Sequence, residues 1–100
     1  MKVFLDDVRE APEGWVRAYW PDEVISYLKT GRVSELSLDH DLGNDLKGTG
    51  YTVLVWIEYQ TVVNGFDPPK ITVHSANPPA GIRMEAAIRA IEQQVRLRDK

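Results

Sequence analysis

Side chains with acid–base and metal-binding chemistry are concentrated where apolar segments of the chain end. Asp39, His40 and Asp41 come directly after an apolar run that ends at Leu38. Side chains alternate along a strand, so Asp39 and Asp41 share one side if the extended backbone continues to Asp41. Carboxylates and an imidazole at the end of a hydrophobic strand destabilise the fold unless partners or solvent compensate them. This segment is therefore predicted to be a functional site.

A second acidic pair indicates that the site binds a metal. Asp6 and Asp7 end the first apolar run of the chain, as Asp39 and Asp41 end a later one. Crowded carboxylates repel one another, and a divalent cation relieves that repulsion. Hard cations also prefer oxygen ligands. We predict that Asp6 and Asp7, with Asp41 or Asp39, bind one Mg²⁺ or Mn²⁺; the alternatives are a solvated strand end for the first pair and a turn for the second.

The remaining candidates are residues that transfer protons or bind phosphate. His40 and His74 have a reference pKa of about 6.5, which suits a general acid or base. Arg9 is a cation close to the acidic pair and is predicted to hold phosphate oxygens. Ser75 and Asn77 precede the last helix, whose N-terminus is also suited to an anion. Each has a structural alternative: a surface arginine, a buried histidine that contacts backbone, and helix caps.

Four strands and three helices are predicted to position these residues. The strands are residues 2–5, an edge strand at 15–20, the run that ends at Leu38, and residues 70–75; the helices are residues 22–30, residues 51–64 and the segment after Gly81. The middle helix is ambiguous, because Val53, Val55 and Ile57 also alternate as in a strand. Its length favours a helix.

Strands separated by helices predict a mainly parallel sheet with right-handed crossovers and helices on both faces. Ligands bind such sheets beyond the carboxyl ends of the strands. The polar groups after residues 5, 38 and 73 should therefore meet at one edge of the sheet.

Composition limits the classes of function. One hundred residues predict a single domain, 1–100. The net charge is −3 with both signs interspersed, so neither duplex DNA nor a membrane surface is an expected partner. The absence of cysteine excludes disulfides and thiolate metal sites, and we expect a cytoplasmic protein. Nothing in the sequence indicates the oligomeric state.

Three short motifs resemble those of response-regulator receiver domains: Leu5-Asp6-Asp7, Leu38-Asp39 and Ser75-Ala76. The resemblance implies that Asp6 and Asp7 are the Mg²⁺ pair. It also implies that Asp39 is the phosphoryl acceptor and Ser75 the hydroxyl that contacts it. The lysine that receivers carry on a fifth strand has no counterpart in these 100 residues.

Longer motifs are similar to those of the cyclic-phosphate-processing receiver-like domains. They are Leu5-Asp6-Asp7-Val8-Arg9, Pro12-Glu13-Gly14-Trp15, Ser37-Leu38-Asp39-His40-Asp41-Leu42-Gly43, and His74-Ser75-Ala76-Asn77 with Met84. This resemblance implies a small, truncated receiver-like (flavodoxin-like) three-layer α/β sandwich of about four strands. It implies metal-dependent hydrolysis or phosphoryl transfer at cyclic phosphate ends of nucleotides or RNA. The alternative is a non-enzymatic receiver-type module that binds phosphate and metal for signalling or as an adaptor.

Overall fold

Four parallel strands form one sheet in the computed structural model, which describes residues 1–40, 48–74 and 77–99. In chain order the elements are β1 (Lys2–Leu5), β2 (Trp15–Ala18), α1 (Pro21–Leu28), β3 (Glu35–Leu38), α2 (Gly50–Asn64), β4 (Lys70–Val73) and α3 (Pro78–Arg98). The strand order is β2-β1-β3-β4, with every neighbouring pair parallel. The predicted small, receiver-like α/β fold is confirmed, including the edge position of β2.

The hydrophobic core lies between one face of the sheet and the helices. Val3 and Leu5 of β1 and Leu36 and Leu38 of β3 are all fully buried on this face. They pack against apolar side chains of α1, α2 and α3 in a single cluster. Alternation along the strands therefore sends the intervening residues, and the residue that follows each strand, to the opposite face.

The three helices lie side by side on the same face, since α1 contacts α2 and α2 contacts α3. The expectation of helices on both faces is thus the one part of the predicted architecture that differs. The β2–α1–β3 and β3–α2–β4 connections both cross the sheet in the same direction, and right-handed crossovers then place both helices on one face. The β1–β2 connection runs in the opposite direction, and residues 6–14 contain no helix.

The second face of the sheet, which we call the open face, is covered by side chains of the strands themselves. The ring of Phe4 is 8% exposed and meets the edge of Trp15 at a centroid distance of 6.4 Å. The ammonium group of Lys2 lies 5.7 Å from the Trp15 ring. Within the part of the chain that the structure describes, no helix packs on this face.

Segment 50–64 is a helix, as predicted, although its apolar residues surround the helix axis. Thr49 caps its start by accepting a hydrogen bond from the backbone amide of Tyr51 (3.2 Å), and Gly65 ends it in the left-handed conformation (φ 67°). Val53, Leu54 and Ile57 are buried, whereas Val55, Tyr59, Val62 and Val63 are exposed. Among the described residues, no helix is long and apolar enough to cross a membrane.

Candidate metal centre

Asp6, Asp39 and His74 each occupy the first position after a strand. Because the last residues of β1, β3 and β4 are paired in register, these three residues also lie next to one another. The backbone ladder continues through them: the amide of Asp39 donates to the carbonyl of Leu5, and that of His74 to the carbonyl of Leu38, both at 3.0 Å. Residues separated by more than thirty positions in sequence are thereby brought to one edge of the open face.

The three side chains place two carboxylate oxygens and one imidazole nitrogen within 4.8 Å of one another. Asp6 is 1% exposed and Asp39 8%, so their charges are largely removed from solvent. A buried pair of carboxylates is costly unless cations or hydrogen-bond donors compensate it. The donor set fits a divalent cation, because the two carboxylates suit Mg²⁺ or Mn²⁺ and an imidazole nitrogen is a common ligand of transition-metal ions.

Asp6 is held ionised by a turn of the backbone. Its Oδ1 accepts hydrogen bonds from the amides of Val8 and Arg9, both at 2.8 Å, and its Oδ2 lies 3.1 Å from Nε2 of His74. Burial raises the pKa of Asp6, but the Arg9 and Val8 amides and then His74 together lower it below its ordinary value of 3.8. The carboxylate is therefore charged at neutral pH, as a metal ligand must be.

The imidazole of His74 is held on three sides. Its Nδ1 lies 2.7 Å from Oγ of Ser37, its Nε2 faces Asp6, and its ring stacks on Phe4 at 4.2 Å and 5°. Sequence reasoning identified His74 but not Ser37 or Phe4. Phe4 and Ser37 precede Asp6 and Asp39, respectively, by two residues. Because side chains alternate along a strand, each lies on the same face of the sheet as the aspartate that follows it, and this was the signal that could have identified them.

Two arginines contact Asp6, Arg9 at the carboxylate and Arg17 at the backbone carbonyl. Arg9 donates from Nη1 to the carbonyl of His74 (2.9 Å), and the same nitrogen lies 3.5 Å from Oδ2 of Asp6. Arg17 donates from Nε to the carbonyl of Asp6 (3.3 Å), while its guanidinium lies 4.3 Å from the centroid of Tyr19. Arg9 was predicted from the sequence, whereas Arg17 was read only as part of an edge strand.

The backbone of Asp39 is packed against the start of α2. A Cβ on Gly50 would overlap the carbonyl oxygen of Asp39 and lie 2.9 Å from Cε of Met84. Only glycine permits this close approach of α2 to the end of β3. The predicted helix begins at residue 51 and leaves Gly50 out, so the contact of Gly50 with the site is not predicted by the sequence.

Asp7 and His40 are half-buried and adjoin Asp6 and Asp39 in sequence, but neither belongs to the candidate metal-binding group found among the described residues. The structure thus brings His74, predicted as an acid or base, together with Asp6 and Asp39 into a group that could hold a metal ion. The assignments of Asp7 to the metal and His40 to proton transfer stay predictions.

Asn77 forms the cap of α3, where its Oδ1 accepts a hydrogen bond from the amide of Ala80 (3.2 Å). This role was expected for it whatever else it does. The predicted ligand Asp41 and the predicted phosphate contact Ser75 lie outside the described residues.

Comparison with known proteins identifies a family for this architecture. A family model described as the cyclic-phosphate processing receiver domain matches residues 1–90. The match includes Asp6, Asp39 and His74 and extends into α3. No match was found among curated proteins or among solved structures.

Proposed function

Since the chain belongs to the cyclic-phosphate processing receiver domain family, we propose that it hydrolyses cyclic phosphate ends of nucleotides or RNA in a metal-dependent reaction. The observation that carries this proposal is the convergence of the Asp6, Asp39 and His74 ligand atoms within 4.8 Å. A pair of buried carboxylates with an imidazole is suited to a divalent cation, and a bound cation attracts the phosphate that the family name implies.

The proposed ligands are Asp6, Asp39 and His74, and Mn²⁺ or Mg²⁺ is the proposed ion. When bound, the ion would neutralise phosphate charge and acidify a water molecule. The protein's own contribution is to keep the carboxylate of Asp6 ionised through the amides of Val8 and Arg9 and to fix the imidazole of His74. Asp7 and Asp41 remain candidates for further ligands.

Arg9 is the proposed phosphate-binding residue of the chain. Its Nη1 is anchored by the carbonyl of His74, and its side chain is 49% exposed. A guanidinium has five N–H donors in a fixed plane, so several remain to bind phosphate oxygens. Ser75 and the α3 N-terminus capped by Asn77 are additional candidates for the same phosphate.

Opening the cyclic ester forms a bond from a water oxygen to phosphorus and breaks the bond from phosphorus to one ribose oxygen. The attacking water loses one proton, and the departing ribose oxygen takes one up. Both ring nitrogens of His74 already have hydrogen-bond partners, Ser37 and Asp6. We assign to His40, which follows Asp39 in the chain, the donation of a proton to the ribose oxygen, while the proton that the water loses passes to solvent.

The test is hydrolysis of a 2′,3′-cyclic nucleotide with added Mn²⁺, followed as release of the phosphomonoester. Asp39→Asn and His74→Ala should each lower kcat/KM by at least about 100-fold, since losing even an outer partner of a ligand typically costs about 10- to 100-fold. Asp67→Asn is the matched control, because this carboxylate is 93% exposed and pairs with Arg98. It should retain full activity.

Turnover that is unchanged in both Asp39→Asn and His74→Ala would contradict the proposal. Mn²⁺-dependent binding of the cyclic nucleotide by the wild type, without turnover, would favour the non-enzymatic phosphate-binding module instead.

A further inference from the structure

We propose that Ser37 is a positioning residue: its hydroxyl holds the imidazole of His74 so that Nε2 faces Asp6 and Asp39. The consequence for metal binding rests on the proposed function, whereas the interaction itself does not. Nothing in the motifs singled out from the sequence assigns a role to this serine.

Two contacts define the orientation of the imidazole. Phe4 stacks on the ring at 4.2 Å and 5°, which sets the plane of the ring but also accommodates the ring rotated by half a turn about its Cβ–Cγ bond. That turn would exchange Nδ1 with Cδ2 and Nε2 with Cε1, so the Ser37 hydroxyl, 2.7 Å from Nδ1, favours the orientation in which Nε2 faces Oδ2 of Asp6. Ser37 is only 8% exposed, so water does not readily replace its hydroxyl.

A hydroxyl suits this position because it both donates and accepts hydrogen bonds. In the neutral imidazole without metal, Nε2–H donates a hydrogen bond to the carboxylate of Asp6, and Nδ1 accepts one from the hydroxyl of Ser37. If His74 held a cation through Nε2, its proton would be on Nδ1 and would be donated to the Ser37 oxygen. Rotation of the hydroxyl accommodates both tautomers without movement of the ring.

The interaction is tested first without metal, by long-range ¹H–¹⁵N NMR of the histidine rings. The chain has two histidines, so a His40→Gln background leaves the signals of His74 alone. Ser37→Ala should shift both ring nitrogens of His74, and Ser37→Thr should restore the wild-type spectrum. Thr72→Val is the matched control, because Thr72 is the exposed register partner of Ser37 on β4.

The consequence is tested by Mn²⁺ titration with electron paramagnetic resonance. Ser37→Ala should weaken Mn²⁺ binding by about 10-fold or more. Ser37→Thr and Thr72→Val should stay within about twofold of the wild type. Ser37→Cys keeps the side-chain volume but donates weakly, so it should fall between serine and alanine.

The outcomes separate this inference from the proposed function. Unchanged His74 signals in Ser37→Ala overturn the inference, and so does unchanged Mn²⁺ affinity in a wild type that binds the ion; the proposed function then still stands. If the wild type binds no Mn²⁺, the proposed function fails and the imidazole spectra alone decide the inference. Thermal unfolding of each variant verifies that it is folded, and Ser37→Cys replaces Ser37→Ala if the latter is not.

Discussion

At the scale of single residues, the buried carboxylate of Asp6 links the site to the stability of the fold. Its pKa is lowered below 3.8 in the folded chain, so it contributes stability that is fully present above that value. That contribution is lost as the pH falls through the lower, folded-state pKa. Asp6→Asn should reduce the free energy of unfolding at neutral pH by about 2 kcal/mol, because a buried charged acceptor is lost. The stability of the variant should also fall less steeply than that of the wild type as the pH is lowered.

The measurement is the melting temperature as a function of pH in the presence of a chelator. Asp67→Asn again serves as the control, since its exposed side chain should leave the acid dependence close to that of the wild type. An Asp6→Asn variant that loses stability with acid as steeply as the wild type would show that another carboxylate is responsible.

The three candidate metal ligands were predictable from the sequence, whereas the residues that orient the imidazole of His74 were not. Asp6, Asp39 and His74 are conspicuous because polar groups interrupt apolar runs. Ser37 and Phe4 are ordinary strand residues, and their role depends on the pairing of β3 with β1 and with β4. That register is a property of the folded sheet, so only the structure shows which side chain reaches the imidazole.

At the scale of elements, the start of α2 supports the end of β3. Gly50→Ala should destabilise the protein by about 2 kcal/mol through overpacking, because the new Cβ meets the backbone of Asp39 rather than a flexible side chain. The displaced Asp39 should also weaken Mn²⁺ binding. Chemical denaturation and Mn²⁺ titration measure the two effects.

Gly81→Ala is the control for that substitution, because Gly81 lies in α3 with open space around its Cβ position. Replacing a helical glycine with alanine stabilises a helix by up to about 1 kcal/mol. Equal effects of the two substitutions would mean that the contact between α2 and Asp39 does not support the site.

Element types followed from the sequence more readily than their placement. Segment 50–64 combines strand-like alternation with helical spacing, because α2 has apolar residues on its buried and exposed sides alike, and the length of the run then favours the helix. All helices lie on one face because the β1–β2 connection contains no helix, and the sequence of residues 6–14 does not clearly show that a helix is lacking there. The right-handed crossovers then place the helices that are present on the same face.

At the scale of the whole molecule, the single hydrophobic cluster predicts cooperative unfolding as one domain. Trp20 and Trp56 pack against this cluster, whereas Trp15 lies on the open face of the sheet. Tryptophan fluorescence and far-ultraviolet circular dichroism should therefore report the same unfolding midpoint in urea. Distinct midpoints for the two probes would contradict a single cooperative unit.

The site residues are brought together by the register of the strands and not by a common loop. The chain should therefore tolerate insertions and deletions between the strands better than within them. Deleting one residue within β3 would turn Asp39 toward the helices and an apolar side chain toward solvent, because side chains alternate with a period of two. An extra residue in the turns at Gly14 or Gly31, both exposed, leaves that alternation intact. Insertions and deletions among related chains should therefore accumulate between the strands, while the spacing within each strand up to its polar end stays constant.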